Sequence, residues 1–71
     1  MDDFNFARWI ESERMRLGWT QADMANATGL TRAAISKYEN EEIMPQLYTF
    51  LRILKAIGKE MIITDRRETN G

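Results

Sequence analysis

The chain has 71 residues, ten of them basic and eleven acidic, and its formal net charge is −1. A chain of this length is expected to form a single domain over 1–71, with a small core that buries only about 60% of the unfolded surface. It contains neither cysteine nor histidine, which excludes disulfides, the usual zinc sites and the usual general base. Without a phosphate-binding glycine loop or paired acids on one face, the sequence predicts no enzyme, no metal site and no cofactor.

The distribution of charge is more informative than its sum. A near-neutral chain counts against a nucleic-acid ligand, because neutralising phosphates usually requires a basic surface. Between Thr31 and Tyr38, however, the only charged residues are Arg32 and Lys37, and both are basic. No apolar run approaches the ~20 residues that span a membrane, and the start MDDFNF is acidic where a signal peptide is basic. We therefore expect a cytoplasmic protein with no membrane partner.

Apolar residues recur at helical spacing over about 5–17, which predicts a first helix with one buried face. These residues are Phe6, Trp9, Ile10 and Leu17. Asn5 suits the N-cap of this helix, and Gly18 suits the left-handed residue after its end. A second helix is predicted over about 20–28, because Thr20 and Asp23 have the spacing of a capping box.

A third helix is predicted over about 31–40, after a left-handed turn at Gly29 and an N-cap at Thr31. Its apolar residues face inward, and the residues between them face outward. The inward set is Ala34, Ile35 and Tyr38; the outward set is Arg32, Ala33, Ser36 and Lys37. A fourth helix is predicted over about 45–57, where Pro45 suits the first turn and an apolar stripe follows.

The hydrophobic period changes after the fourth helix. Residues 60–64 form a short apolar run rich in β-branched side chains, which predicts a strand. A lone strand must pair its backbone groups somewhere, and the same segment of a second copy is the expected partner. The sequence thus predicts a two-fold homodimer through residues 60–64. Residues 66–71 are polar and are expected to be disordered.

Four residues occupy the defining positions of a helix-turn-helix: Gln21, Ala25, Gly29 and Ile35. With the flanking TQADMA, the following YEN and the segment PQLYTFLRILKAIG, the chain resembles the Xre-type, phage repressor and Cro class of helix-turn-helix proteins over roughly 10–58. The tail is similar to that of small antitoxins of the HipB kind. The resemblance implies an all-α, four-helix, lambda-repressor-like helix-turn-helix domain, with a short C-terminal β-strand for dimerisation.

The resemblance also implies two kinds of contact with DNA. Phosphates would be contacted from the starts of the second and third helices and from just beyond the third. Base edges would be contacted by the outward residues of the third helix. The implied phosphate contacts are Gln21, Thr31 and Asn40, and the implied base-facing residues are Arg32, Ala33, Ser36 and Lys37, with Lys37 able to reach a base or a phosphate.

Arg14 and Glu39 match positions that form a buried ion pair in related domains. Two departures from the pattern are visible. Glu41 and Glu42 replace the basic or Gly-Lys residues that often follow the third helix in the family, and would repel a phosphate backbone. Thr28 stands at a position that is usually apolar, which is a small packing change.

These observations favour a sequence-specific, dimeric DNA-binding repressor that places the third helix in the major groove of a palindromic operator. Its partners would be double-stranded DNA, a second copy and, if it is an antitoxin, a toxin protein. The alternative is an interaction module that keeps the fold without binding DNA. The acidic pair after the third helix is the observation that favours this alternative.

Overall fold

A computed structural model describes residues 4–65 of the chain, and these residues form four α-helices. The helices are α1 (Phe6–Arg16), α2 (Gln21–Thr28), α3 (Arg32–Glu39) and α4 (Leu47–Ala56). The predicted all-α, four-helix architecture is therefore present, while the predicted tail at 66–71 lies outside the described residues. Over the same residues, none of the helices has the length and apolar character needed to cross a membrane.

The N-termini of the first three helices are fixed by side-chain caps. Thr20 and Asp23 form the predicted capping box, in which Thr20 Oγ1 accepts from the Asp23 N–H at 3.0 Å and the Thr20 N–H donates to Asp23 at 2.9 Å. Asn5 and Thr31 each accept a bond from the N–H three residues further on. Gln46, the residue before α4, makes no such bond. These caps satisfy N–H groups that have no partner within the helix, so they define where each helix begins.

Each helix is followed, within two residues of its end, by a residue with positive φ, and in three cases that residue is a glycine. The exception is Glu41, with a φ of 63°. Its N–H donates to the Tyr38 carbonyl at 3.2 Å, and the Glu42 N–H donates to the Lys37 carbonyl at 2.9 Å. This pair of bonds is the Schellman motif. The end of α3 thus has the geometry usually supplied by glycine, but with a glutamate.

One fully buried side chain from each helix occupies the centre of the core. These side chains are Ile10, Met24, Ile35 and Ile53. Aromatic rings extend this centre: Phe6 meets the ring of Tyr38 edge-on, with centroids 5.6 Å apart, and meets Phe50 in the same way at 5.6 Å. Because Tyr38 is near the end of α3, these contacts fix α1 against the end of α3 and against α4.

The strand predicted at 60–64 is not supported by the structure of the single chain. From residue 4 to residue 65 the structure contains no strand, and Met61, Ile62 and Ile63 are exposed. A strand needs a neighbour to pair its N–H and C=O groups. The described part of a single chain offers no neighbouring strand, and the apolar run continues after α4 without regular secondary structure.

Candidate nucleic-acid interface

The turn between α2 and α3 is held by a residue that the sequence did not reveal. Arg52 of α4 donates from Nε to the Thr28 carbonyl at 3.0 Å and from Nη2 to the Gly29 carbonyl at 3.1 Å. Gly29 has a φ of 75°, and a Cβ at this position would lie 2.7 Å from Arg52 Nη2. The positive φ therefore favours glycine at the turn, and any side chain there would also make the guanidinium of Arg52 shift. A cation at the C-terminus of α2 also complements the helix dipole.

Thr28, which departs from the usual apolar residue, is buried at 3% exposure. Its hydroxyl donates to the Met24 carbonyl at 2.8 Å and accepts from the Leu30 N–H at 3.3 Å. The polar group is thus satisfied inside the turn, and Leu30 packs, partly buried, against the core. The two short helices therefore form one unit with a defined angle between them.

The outward side of α3 carries positive charge and is open to solvent. Arg32, Ala33 and Lys37 are exposed. Within residues 4–65, neither Arg32 nor Lys37 forms an ion pair. Ser36 is half-buried, and its Oγ accepts a long hydrogen bond of 3.4 Å from Nδ2 of the exposed Asn40. These residues lie together on one face, and Ser36 and Asn40 already contact each other there.

The N-terminus of α3 presents backbone donors beside this face. The first backbone bond of α3 runs from the Ile35 N–H to the Thr31 carbonyl at 3.1 Å, and the Thr31 side chain accepts from the Ala34 N–H at 3.0 Å. The N–H groups of Arg32 and Ala33 precede these bonds, so they point out of the end of the helix. Exposed amides at the positive end of a helix dipole favour an anion.

Gln21, at the start of α2, is less exposed than we expected for a residue that contacts a phosphate. It is half-buried, and its Nε2 donates to Glu39 Oε1 at 3.2 Å. Glu39 in turn accepts two bonds from Arg14, from Nε at 2.8 Å and from Nη2 at 3.1 Å. Arg14 also donates to the Trp19 carbonyl at 2.9 Å. The predicted ion pair is therefore confirmed, and it includes Gln21, which the sequence did not connect to it.

This ion pair is largely shielded from water, with side-chain exposures of 16% for Arg14 and 5% for Glu39. Hydrogen bonding to Glu39 raises the pKa of Arg14 above its usual value, outweighing the burial that acts in the opposite direction. Arg14 therefore stays charged at neutral pH, and together with Glu39 and Gln21 it links α1, α2 and α3 behind the exposed face.

A second ion-pair cluster was also missed. Glu13 on α1 is buried and accepts from Arg16 at 2.7 Å, while Lys59 Nζ lies 3.3 Å from its other oxygen. Burial alone would raise the pKa of Glu13, but hydrogen bonds from Arg16 and Lys59 outweigh it and lower the pKa below its ordinary value. Lys59 immediately precedes the segment 60–65, so this cluster fixes the point where that segment leaves the helices.

The chain has clear similarities to known proteins. A family model described as "Helix-turn-helix" matches residues 10–62. Antitoxin HipB of Escherichia coli strain K12 is 33% identical over 57 residues, which are 80% of this chain and 65% of that relative. The chain thus spans just under two thirds of the length of this relative.

The chain covers a larger share of the matching chains in solved structures than of the relative above. A HipA-HipB-O2-O3 complex contains a chain that superposes with a TM-score of 0.71 and 29% identity, covering 94% of this chain and 97% of that chain. A complex of a HipB variant with an O2 20mer gives a TM-score of 0.70 and 30% identity, with the same coverage of 94% and 97%.

Proposed function

Because the chain belongs to the helix-turn-helix family, we propose that it is a sequence-specific, dimeric DNA-binding repressor. One observation carries the proposal: α3 offers an exposed face whose only charges, Arg32 and Lys37, are positive, beside an N-terminus with unpaired backbone donors. An α-helix fits the major groove of B-DNA, where such side chains reach base edges. The structure of a HipB variant in complex with an O2 20mer supports this proposal.

We assign the contacts by the chemistry of each side chain. Arg32 can bind the O6 and N7 atoms of a guanine with two hydrogen bonds, worth ~1–3 kcal/mol of discrimination. Ala33 can contact only a thymine methyl group, and the Ser36 hydroxyl can hydrogen-bond to several different bases. Lys37 can reach a guanine or a phosphate. The contacts to the backbone phosphates are assigned to Gln21, Thr31 and Asn40.

The repressor is proposed to act as a homodimer through residues 60–64. Ile62 and Ile63 are 73% and 87% exposed in the single chain, which is unfavourable for adjacent large apolar side chains. Contact with the same segment of a second copy would bury them around a two-fold axis. Two copies of α3 would then meet half-sites about 34 Å apart, and the operator would be palindromic.

We further propose that the protein is the antitoxin of a toxin–antitoxin pair and works in the cytoplasm. The similarity to Antitoxin HipB supports this role, as does the HipA-HipB-O2-O3 complex, in which a HipB chain is assembled with another protein. The toxin would be a second protein partner besides DNA.

The test is selection of bound sites from a random pool of duplexes, followed by binding measurements on the selected site. A palindromic motif is expected. Arg32→Ala should weaken binding to the selected site by about tenfold or more, and weaken binding to unrelated duplex much less. Arg8→Ala removes the same charge from an exposed position on α1 and serves as the control. Equal losses on both duplexes would place Arg32 on a phosphate.

The alternative function is an interaction module that does not bind DNA. The exposed Glu41 and Glu42, directly after α3, favour it because they would repel phosphates. A salt titration separates the two functions: affinity for DNA should fall steeply as salt rises. An interaction module would show no retention on duplex even at about 50 mM salt.

A further inference from the structure

The amide of Gln21 is held in place before any ligand arrives. Gln21 is the first residue of α2 and Glu39 is the last residue of α3, and Gln21 Nε2 donates to Glu39 Oε1 at 3.2 Å. A carboxylate only accepts hydrogen bonds, so it fixes which end of the amide faces it. One N–H of Gln21 is used on Glu39, and the second N–H of the planar amide group points away from the carboxylate.

The acceptor is itself immobilised. Both oxygens of Glu39 accept from Arg14, at 2.8 and 3.1 Å, and the third contact of that guanidinium is the Trp19 carbonyl at 2.9 Å, just before α2. The Glu39 side chain is 5% exposed. The rigid pair therefore holds the Gln21 side chain, which is otherwise a long and flexible group.

We propose that Glu39 is a positioning residue for the DNA contact of Gln21: it fixes the amide so that its remaining N–H is directed outward for a backbone phosphate oxygen. This inference rests on the proposed DNA-binding function. Since Glu39 ends the helix that faces the bases, the same contact ties the phosphate-binding residue of α2 to the placement of α3. A preset side chain loses less freedom on binding, which favours the complex.

A double-mutant cycle on the full chain tests this proposal. Gln21→Ala is expected to weaken binding to the selected duplex by about tenfold, the loss of one hydrogen bond to a charged phosphate. The salt slope should change little, because the lost donor is a neutral amide that releases no counterion. Glu39→Gln should produce most of the same loss. The double variant should bind no more weakly than Gln21→Ala alone, because the phosphate contact is lost only once.

Thr31→Val provides the matched control, since Thr31 is assigned an independent phosphate contact. The fold-losses of affinity caused by Thr31→Val and by Glu39→Gln should multiply when the two changes are combined. If the losses of Gln21→Ala and Glu39→Gln also multiply, Glu39 acts only through the fold and the positioning role is wrong. If the unmodified chain shows no salt-dependent affinity for any duplex, the proposed function fails instead, so the two failures are distinguishable.

A measurement on the unmodified free chain keeps the proposal testable if Glu39→Gln does not fold. The sequence has two glutamines, Gln21 and Gln46, and the second is exposed with no side-chain cap bond. NMR order parameters of their side-chain NH2 groups should show Gln21 rigid and Gln46 mobile. Equal mobility of the two groups would overturn the proposal.

Discussion

Glu41 has a left-handed backbone conformation, which is unfavourable for a residue that carries a side chain. A φ of 63° brings the Cβ of any L-residue other than glycine close to its own backbone, at a cost of roughly 1–2 kcal/mol. The two bonds of the Schellman motif and the packing of α3 hold the residue there. The backbone at Glu41 is therefore slightly strained, just after the helix that we propose contacts DNA.

Replacing Glu41 by glycine should relieve this strain. We expect Glu41→Gly to raise the free energy of unfolding by about 0.5–1 kcal/mol, after allowing for the greater freedom of glycine in the unfolded chain. Urea denaturation measures the change. Glu42→Gly is the control, because it removes an equal charge from the next residue, where φ is not positive, and should leave stability unchanged or lower. Equal gains in both variants would attribute the effect to charge.

Glu13 should make stability depend on pH in the acid range. Its folded pKa is lowered, so its ionised form stabilises the fold fully above the unfolded pKa, and this contribution disappears as pH falls through the folded pKa. Glu13→Gln should therefore reduce the free energy of unfolding by about 1 kcal/mol at pH 7, since its cationic partners are half-exposed.

The difference between Glu13→Gln and the unmodified chain should shrink as the pH falls below about 4. Denaturation at pH 7 and at about pH 3 tests this. Glu11→Gln, on an exposed position of the same helix, should change stability by no more than about 0.5 kcal/mol at either pH. A difference for Glu13→Gln that persists at low pH would assign its effect to packing.

The helices depend on each other through a few buried polar contacts. Removing one partner of a buried ion pair leaves an uncompensated charge, so Arg14→Met should cost ~3–5 kcal/mol. Since small domains have only ~5–15 kcal/mol in total, this is a large fraction of the stability of the chain. Thermal unfolding followed by circular dichroism measures it. Arg8→Met, at an exposed position on the same helix, should change little, and a similarly mild effect of Arg14→Met would show that water compensates Glu39.

The sequence predicts the helices well wherever local chemistry determines them. Thr20 with Asp23 defines the start of α2, because a capping box acts between residues three apart. The start of α4 is less well determined. Pro45 was placed in its first turn, but the helix begins at Leu47. The fixed φ of proline fits both a helix and an extended segment, so Pro45 alone could not decide the boundary.

Contacts between elements could not be predicted in the same way. Arg52 reaches carbonyl groups 24 and 23 residues away, and Gln21 reaches a carboxylate 18 residues away. The partners of long, flexible side chains depend on how the helices pack, and local sequence does not determine that packing. The Arg14–Glu39 pair was predicted because a family resemblance supplied it. Without that resemblance, nothing in the spacing distinguishes these two residues from the other charges of the chain.

At the scale of the whole molecule, the dimer proposal depends on the segment after Lys59. Ile62→Lys with Ile63→Lys should convert dimers to monomers, because the charges would meet their own copies across the two-fold axis. Analytical ultracentrifugation measures the change. Leu47→Lys with Leu51→Lys is the matched control on the exposed face of α4, where these side chains are 63% and 43% exposed. Dissociation by this second pair alone would move the interface to the helices.

A dimer joined through so short an apolar segment has a consequence for control of transcription. When the chain concentration lies below the dissociation constant of the dimer, the amount of dimer rises with the square of that concentration. A twofold fall in supply would then remove about three quarters of the DNA-competent species. Operator release would become a sharp response to synthesis and turnover, with no small-molecule signal required.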